Sequence, residues 1–105
     1  MQTTTDKVQK EIEVLSVLLD LDYQHRPSPL SKIHDQATKR GYNRRRGSWN
    51  AALAALAHLG AVKATTKQTR VVVGSSTITV PVPCWRITAD GRRRLDALLS
   101  VNEQP

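Results

Sequence analysis

The sequence predicts an α+β fold in which three helices precede a long β-hairpin and a fourth helix closes the chain. Two observations carry this. Apolar residues recur at helical spacing in four separate stretches, while the stretch 61–88 is rich in Val and Thr with Gly74-Ser75-Ser76 near its middle. At 105 residues the chain is long enough for one modest core, so residues 1–105 read as one domain with its core at about 6–101. Apolar residues make up 39% of it and Phe is absent, so the core must come from Leu, Val, Ile and Ala, with Trp49 and Trp85 as its large pieces.

The first helix spans Asp6–Leu21, with Thr4 or Thr5 placed to cap it. Val8, Ile12, Leu15 and Leu19 form one stripe and Val14, Leu18 and Leu21 a second beside it, a wider apolar arc than one packing face needs. Residues 22–29 read as a loop, with Ser28 as N-cap and Pro29 at the first position of a second helix that runs to about Arg40 and stops at Gly41. Leu30, Ile33 and Ala37 face inward from it. A third helix from about Ser48 to Leu59 buries Trp49, Ala52, Leu53 and Leu56 and ends at Gly60. Its opposite face carries Asn50, Ala51, Ala54 and His58, with no acid. Ala61–Val73 and Thr77–Thr88 then form the hairpin, where Pro81 and Pro83 restrict the second strand to an edge or an irregular ribbon. Thr88 caps the last helix, Ala89 to about Val101, which turns Leu95, Leu98 and Leu99 inward. Arg92, Arg93 and Arg94 sit in its first turns against the helix dipole, so some other group must hold them there.

Charge is distributed unevenly. The net charge is +7, yet residues 1–22 hold two Lys against five acids, whereas residues 23–94 hold fourteen Lys and Arg against only Asp35 and Asp90. A middle segment that repels itself this strongly calls for an anionic partner, and nucleic acid is the usual one. Helix, helix, turn, helix, hairpin, helix is also the order of a winged helix-turn-helix. There a narrow third helix enters the major groove and the hairpin wing reaches backbone or minor groove. On that reading Arg44, Arg45 and Arg46 contact guanine or phosphate, and Ser48 offers free backbone N–H groups to phosphate. Asn50 reads adenine, Ala51 and Ala54 permit close approach, and Lys67 and Arg70 bind backbone from the wing.

Leu56-Ala-His-Leu-Gly60-Ala-Val62, followed after the hairpin by Trp85-Arg-Ile-Thr-Ala-Asp-Gly91-Arg-Arg-Arg-Leu95, resembles MarR- and PadR-type transcriptional regulators. Those families pair a leucine-x-x-x-glycine-leucine-valine exit from the recognition helix with a leucine-threonine-x-x-glycine-arginine start to the next. Asn43-Arg-Arg-Arg-Gly-Ser-Trp49 is similar to the region before the third helix in the winged N-terminal domain of Mrr-type restriction enzymes. The resemblance covers roughly residues 28–99 and implies a winged-helix DNA-binding domain. The hairpin is longer than in those families, and no ligand pocket or nuclease motif accompanies it, so effector sensing and cleavage are not carried over.

The functional expectation is a sequence-specific double-stranded DNA-binding protein, a transcriptional repressor acting by operator occupancy. The alternatives are a recognition module of a restriction, recombination or plasmid-maintenance system, or a winged helix used for protein or RNA contact. Catalysis is not expected, because the basic region has only two carboxylates and no nucleophile or phosphate-loop motif. His25, His34, His58 and Cys84 have no ligand spacing, so no metal or cofactor is expected, nor a small-molecule ligand. A lone cysteine, no leader and no apolar run of membrane length point to the cytoplasm and nucleoid. The second stripe of the first helix, with Leu98, Leu99 and Val101, is expected to pack across a two-fold axis in a homodimer.

Overall fold

The computed structural model describes residues 5–103. Its elements are α1 (Asp6–Leu21), a 3₁₀ turn (Asp22–Gln24), β1 (Ser28–Pro29), α2 (Leu30–Lys39), α3 (Arg46–His58), β2 (Val62–Val73), β3 (Ser76–Ile87) and α4 (Ala89–Glu103). The fold is α+β, four helices with a three-stranded antiparallel sheet of order β1-β3-β2. No helix among the described residues is long and apolar enough to cross a membrane.

α1 starts where the Thr5 hydroxyl accepts the Val8 N–H at 3.2 Å; Thr4, the other expected cap, lies outside the described residues. The wide apolar arc of α1 exists because neighbours surround it: α2, α3, α4 and β3 all pack against this helix. Val14, Leu15 and Val17 are fully enclosed, and Leu18 and Leu21 retain 2% and 7% of their exposure. This corrects the expected placing of Val14, Leu18 and Leu21 in a dimer interface. Val14, Leu18 and Leu21 are core within one protomer, because α4 lies along α1 and covers the stripe that helices two and three and the hairpin base leave open. Leu19, expected on the first stripe, is exposed instead.

Two helix starts also differ from expectation. Ser28 does not cap α2. It is buried in β1 opposite Trp85, and Pro29 takes the cap position without a side-chain hydrogen bond. The reason is local, since a residue before proline is pushed to extended backbone and that conformation suits a strand. α3 begins at Arg46, two residues before Ser48, with Arg45 as N-cap. Gly47 is thereby in the first turn, where glycine disturbs a helix least.

The hairpin strands pair over all twelve residues, from Val62 opposite Ile87 to Val73 opposite Ser76, around a two-residue Gly74-Ser75 turn. Twelve extended residues span about 40 Å, and the molecule measures 60 × 26 × 23 Å. β3 is central at the base, where β1 pairs with Cys84 and Trp85, and among the described residues has no second neighbour where Pro81 and Pro83 stand.

The stretches 56–62 and 85–95 meet where β3 runs into α4. α3 ends with Gly60 at φ +79°, and the Ala61 N–H turns back to the Leu56 carbonyl at 3.0 Å. The Thr88 hydroxyl donates to the Gly60 carbonyl at 2.7 Å and accepts the Gly91 N–H at 3.0 Å, while the Thr88 N–H reaches the Ala61 carbonyl at 3.1 Å. A Cβ at position 91 would lie 2.0 Å from that Ala61 oxygen, so only glycine lets α4 approach the end of α3.

Because Leu18 is enclosed within the protomer, Leu18→Glu should destabilise the fold by more than about 3 kcal/mol through burial of a carboxyl group. Leu99→Glu, on the exposed side of α4, should stay within about 0.5 kcal/mol of the parent. Urea titration followed by far-UV circular dichroism measures both, and a Leu18→Glu protein with the parent midpoint would contradict the packing.

Candidate nucleic-acid interface

The basic segment between α2 and α3 divides into two parts. Arg44 is turned inward: its Nε and Nη2 donate to the two carboxylate oxygens of Glu13 at 3.0 and 3.2 Å, and its Nη1 lies 3.0 Å from Asp6. Glu13 is buried on α1, so this is a forked, largely enclosed pair that ties the loop to the core. The geometry therefore assigns Arg44 to structure, not to a surface contact. Arg45 and Arg46 are exposed and have no carboxylate partner among the described residues.

α3 sets the face beside them. Trp49, Ala52, Leu53 and Leu56 enter the core, which leaves Asn50, Ala51, Ala54 and His58 on the outward side, all exposed. Trp49 is completely buried, with the Tyr42 ring 6.4 Å away. Ser48 does not supply the expected free N–H, because its amide donates to the Arg45 carbonyl at 3.0 Å once the helix starts at Arg46. The open amides of the first turn are those of Arg46 and Gly47. Lys7 and Lys10 on α1, together with the Arg94-paired Glu11, line a shallow groove with Ala51 and Ala55. They border the α3 surface although the sequence places them in an acidic segment.

Lys67 and Arg70 do not act together. Three residues apart on one strand, they point to opposite faces of the hairpin. Lys67 shares a cleft with Arg26 and Lys32, whereas Arg70 lies opposite Thr79 on the other face. From Val71 to Trp85 the chain carries no charge, so the cations of the hairpin are confined to Lys63, Lys67, Arg70 and Arg86.

Much of the positive charge is neutralised internally, and acids on α1 or just past its end do most of it. Asp20 accepts two hydrogen bonds from Arg40, one of them from Nη2 at 2.8 Å, and a third from Gln36 at 3.0 Å. Asp22, just past the helix, is 4% exposed and binds Arg86 at 2.7 Å and also Arg92. Glu11 takes Arg94 at 3.0 Å, and Arg93 pairs with Asp90 on its own helix. These are the groups that hold arginines at the start of α4 against its dipole. Arg40 also lies over the Tyr42 ring at 5.9 Å. The Arg40 hydrogen bond holds the Asp20 carboxyl below the ordinary range against the upward pull of burial. Burial acts hardest on Asp22, yet Arg86 and Arg92 together keep it below the ordinary range as well.

Six arginines are thus matched to carboxylates, and the arginines left without one among the described residues are Arg26, Arg45, Arg46 and Arg70. Compared with known proteins, the chain matches no family model, no curated sequence and no solved structure.

Lowered folded-state values at Asp20 and Asp22 mean that their stabilisation is complete above the usual carboxylate range and disappears as pH falls through the folded-state values. Stability should therefore decline between about pH 5 and pH 2, and Asp22→Asn should both lower stability near neutrality and reduce that decline. Urea midpoints compared near pH 7 and pH 3 check this, and an unchanged pH dependence in Asp22→Asn would contradict the assignment.

Proposed function

We propose that this protein binds double-stranded DNA as a winged helix-turn-helix, with the outward face of α3 in the major groove and the base of the β2–β3 hairpin along the neighbouring backbone. The observation that carries this reading is what remains after internal pairing. Arg45 and Arg46 stand free at the start of α3, beside an outward face of one amide, small side chains and no acid. Small residues let a helix approach base edges closely, and Asn50 has the donor and acceptor pair that adenine requires. Lys63 and Lys67, which share one face of the proximal hairpin, supply phosphate contacts, and Arg70 faces the other way. A repressor that acts by occupying its operator is the simplest role for such a domain.

This reading separates adjacent arginines. Arg45→Ala with Arg46→Ala should lower duplex affinity and flatten the slope of log K against log salt by about 0.9 per lost phosphate contact, with stability unchanged. Arg44→Ala should do the reverse, destabilising the fold by about 3 kcal/mol by stranding the buried Glu13 while the folded fraction keeps its salt slope. Fluorescence anisotropy across a salt series, read beside urea midpoints, checks both. A parental slope in a folded Arg45/Arg46 double variant would remove the site.

Asn50→Ala should relax base preference at one position by about 1–3 kcal/mol, measured by competition among duplexes differing at single positions. Uniform weakening on every duplex would make Asn50 a backbone contact.

A further inference from the structure

Away from α3, a cleft of about 460 Å³ opens between the turn after α1, the start of α2 and the face of the hairpin that carries Lys67. Arg26, Lys32 and Lys67 line it, and none of the three has a carboxylate partner among the described residues. The contrast with the rest of the molecule is informative, since the arginines facing α1 and Asp22 are neutralised by acids. Here the acceptor is neutral. The Gln24 side-chain carbonyl takes a hydrogen bond from Lys32 Nζ at 2.8 Å and another from Arg26 Nε at 3.4 Å, so two cations converge on one uncharged oxygen. An amide oxygen orients them without cancelling their repulsion, and Lys67 adds a third positive charge from the hairpin. A dianion at this point relieves all three.

The remaining lining defines the rest of the ligand. Ser31 offers a hydroxyl beside the cations, while Pro29 and Val82 give an apolar wall. The volume falls in the range of small-molecule sites, about 300–1,000 Å³, and exceeds what a bare inorganic ion fills. We infer that this cleft binds a phosphoryl group, held by Arg26, Lys32 and Lys67, with the apolar wall covering the organic body to which the phosphate is attached. Phosphate suits three converging cations because it carries close to two negative charges and several strong acceptor oxygens. The site lies away from α3 and shares only Lys67 with the proposed duplex interface. Two sources present phosphoryl oxygens to such a cleft, a free phosphomonoester, which is close to dianionic, and a duplex-backbone phosphodiester, which carries one negative charge and meets the cations less fully.

Titration of the full ¹⁵N-labelled chain with phenyl phosphate, and separately with a short duplex, tests the inference and separates the sources. With a free phosphomonoester as the ligand, phenyl phosphate shifts the amides of Ser31, Lys32 and Lys67 saturably. Arg26→Gln with Lys32→Gln then weakens it by about tenfold or more, while Lys39→Gln, which removes a charge at the far end of α2, leaves it unchanged. With the backbone as the source, the duplex and not phenyl phosphate moves these amides, and the double variant weakens the duplex. If neither titration moves them, or the double variant binds both probes as the parent does, the inference is overturned. The phenyl phosphate arm involves no duplex, so its result stands whatever the Arg45/Arg46 variants show.

Discussion

The fold is organised around one buried helix whose edges are acidic. α1 contributes the largest share of the enclosed apolar residues, and carboxylates on or next to it receive arginines from nearly every neighbour: Arg40 from the end of α2, Arg44 from the loop before α3, Arg86 from β3, and Arg92 and Arg94 from α4. Apolar burial supplies most of the driving force for packing elements on α1. The ion pairs do something else. Exposed pairs add little stability, but pairs to the enclosed Glu13 and Asp22 are demanding in geometry, because a buried carboxylate left without its guanidinium is costly. They select how each neighbour is seated on α1, not merely that it is seated.

This arrangement changes the meaning of the charge. Taken as a linear property, the middle of the chain looks uniformly cationic and in need of an external anion. In three dimensions a large part of that charge is the complement of α1, and only a subset faces outward without a partner. Of the arginines without a carboxylate among the described residues, Arg45 and Arg46 lie at the start of α3, Arg26 in the cleft with Lys32 and Lys67, and Arg70 apart on the other face of the hairpin. The electrostatic case for an anionic partner therefore becomes more specific as it becomes smaller. It also explains why three consecutive arginines differ in role: the chain direction through the loop points Arg44 at α1, and the helix that begins at Arg46 turns its neighbours away.

The junction between the helices and the hairpin depends on a few backbone contacts. Thr88 bonds to the end of α3 and to the start of α4 at once, and Gly91 allows the two backbones to approach. The hairpin can then extend about 40 Å without a core of its own, because its base is fixed by this crossing and by Trp85 and Ile87 in the core. Beyond Arg70 it has neither charge nor burial, which confines electrostatic contact to its proximal half.

Local chemistry alone determined a good deal. Helical periodicity located four helices, Gly41, Gly60 and Thr88 marked ends that the structure reproduces within a residue or two, and Val/Thr alternation around Gly74 specified the hairpin. Trp49 was legible as core because its position in an i, i+3, i+4 pattern is a property of one helix. The exposed positions of Asn50, Ala51 and Ala54 follow from the same pattern. What tertiary structure decided was every question about partners distant in sequence. Whether the second stripe of α1 met another subunit or α4 depended on where α4 packs. Whether Arg44 faced solvent depended on Glu13, thirty-one residues earlier. Arg26 and Lys32 were inconspicuous in the sequence because they join Lys67 only when α2 and β2 come together. Periodicity reports a residue's orientation on its own element, but pairing of charges and covering of apolar faces are relations between elements, and only the packed chain brings those into contact.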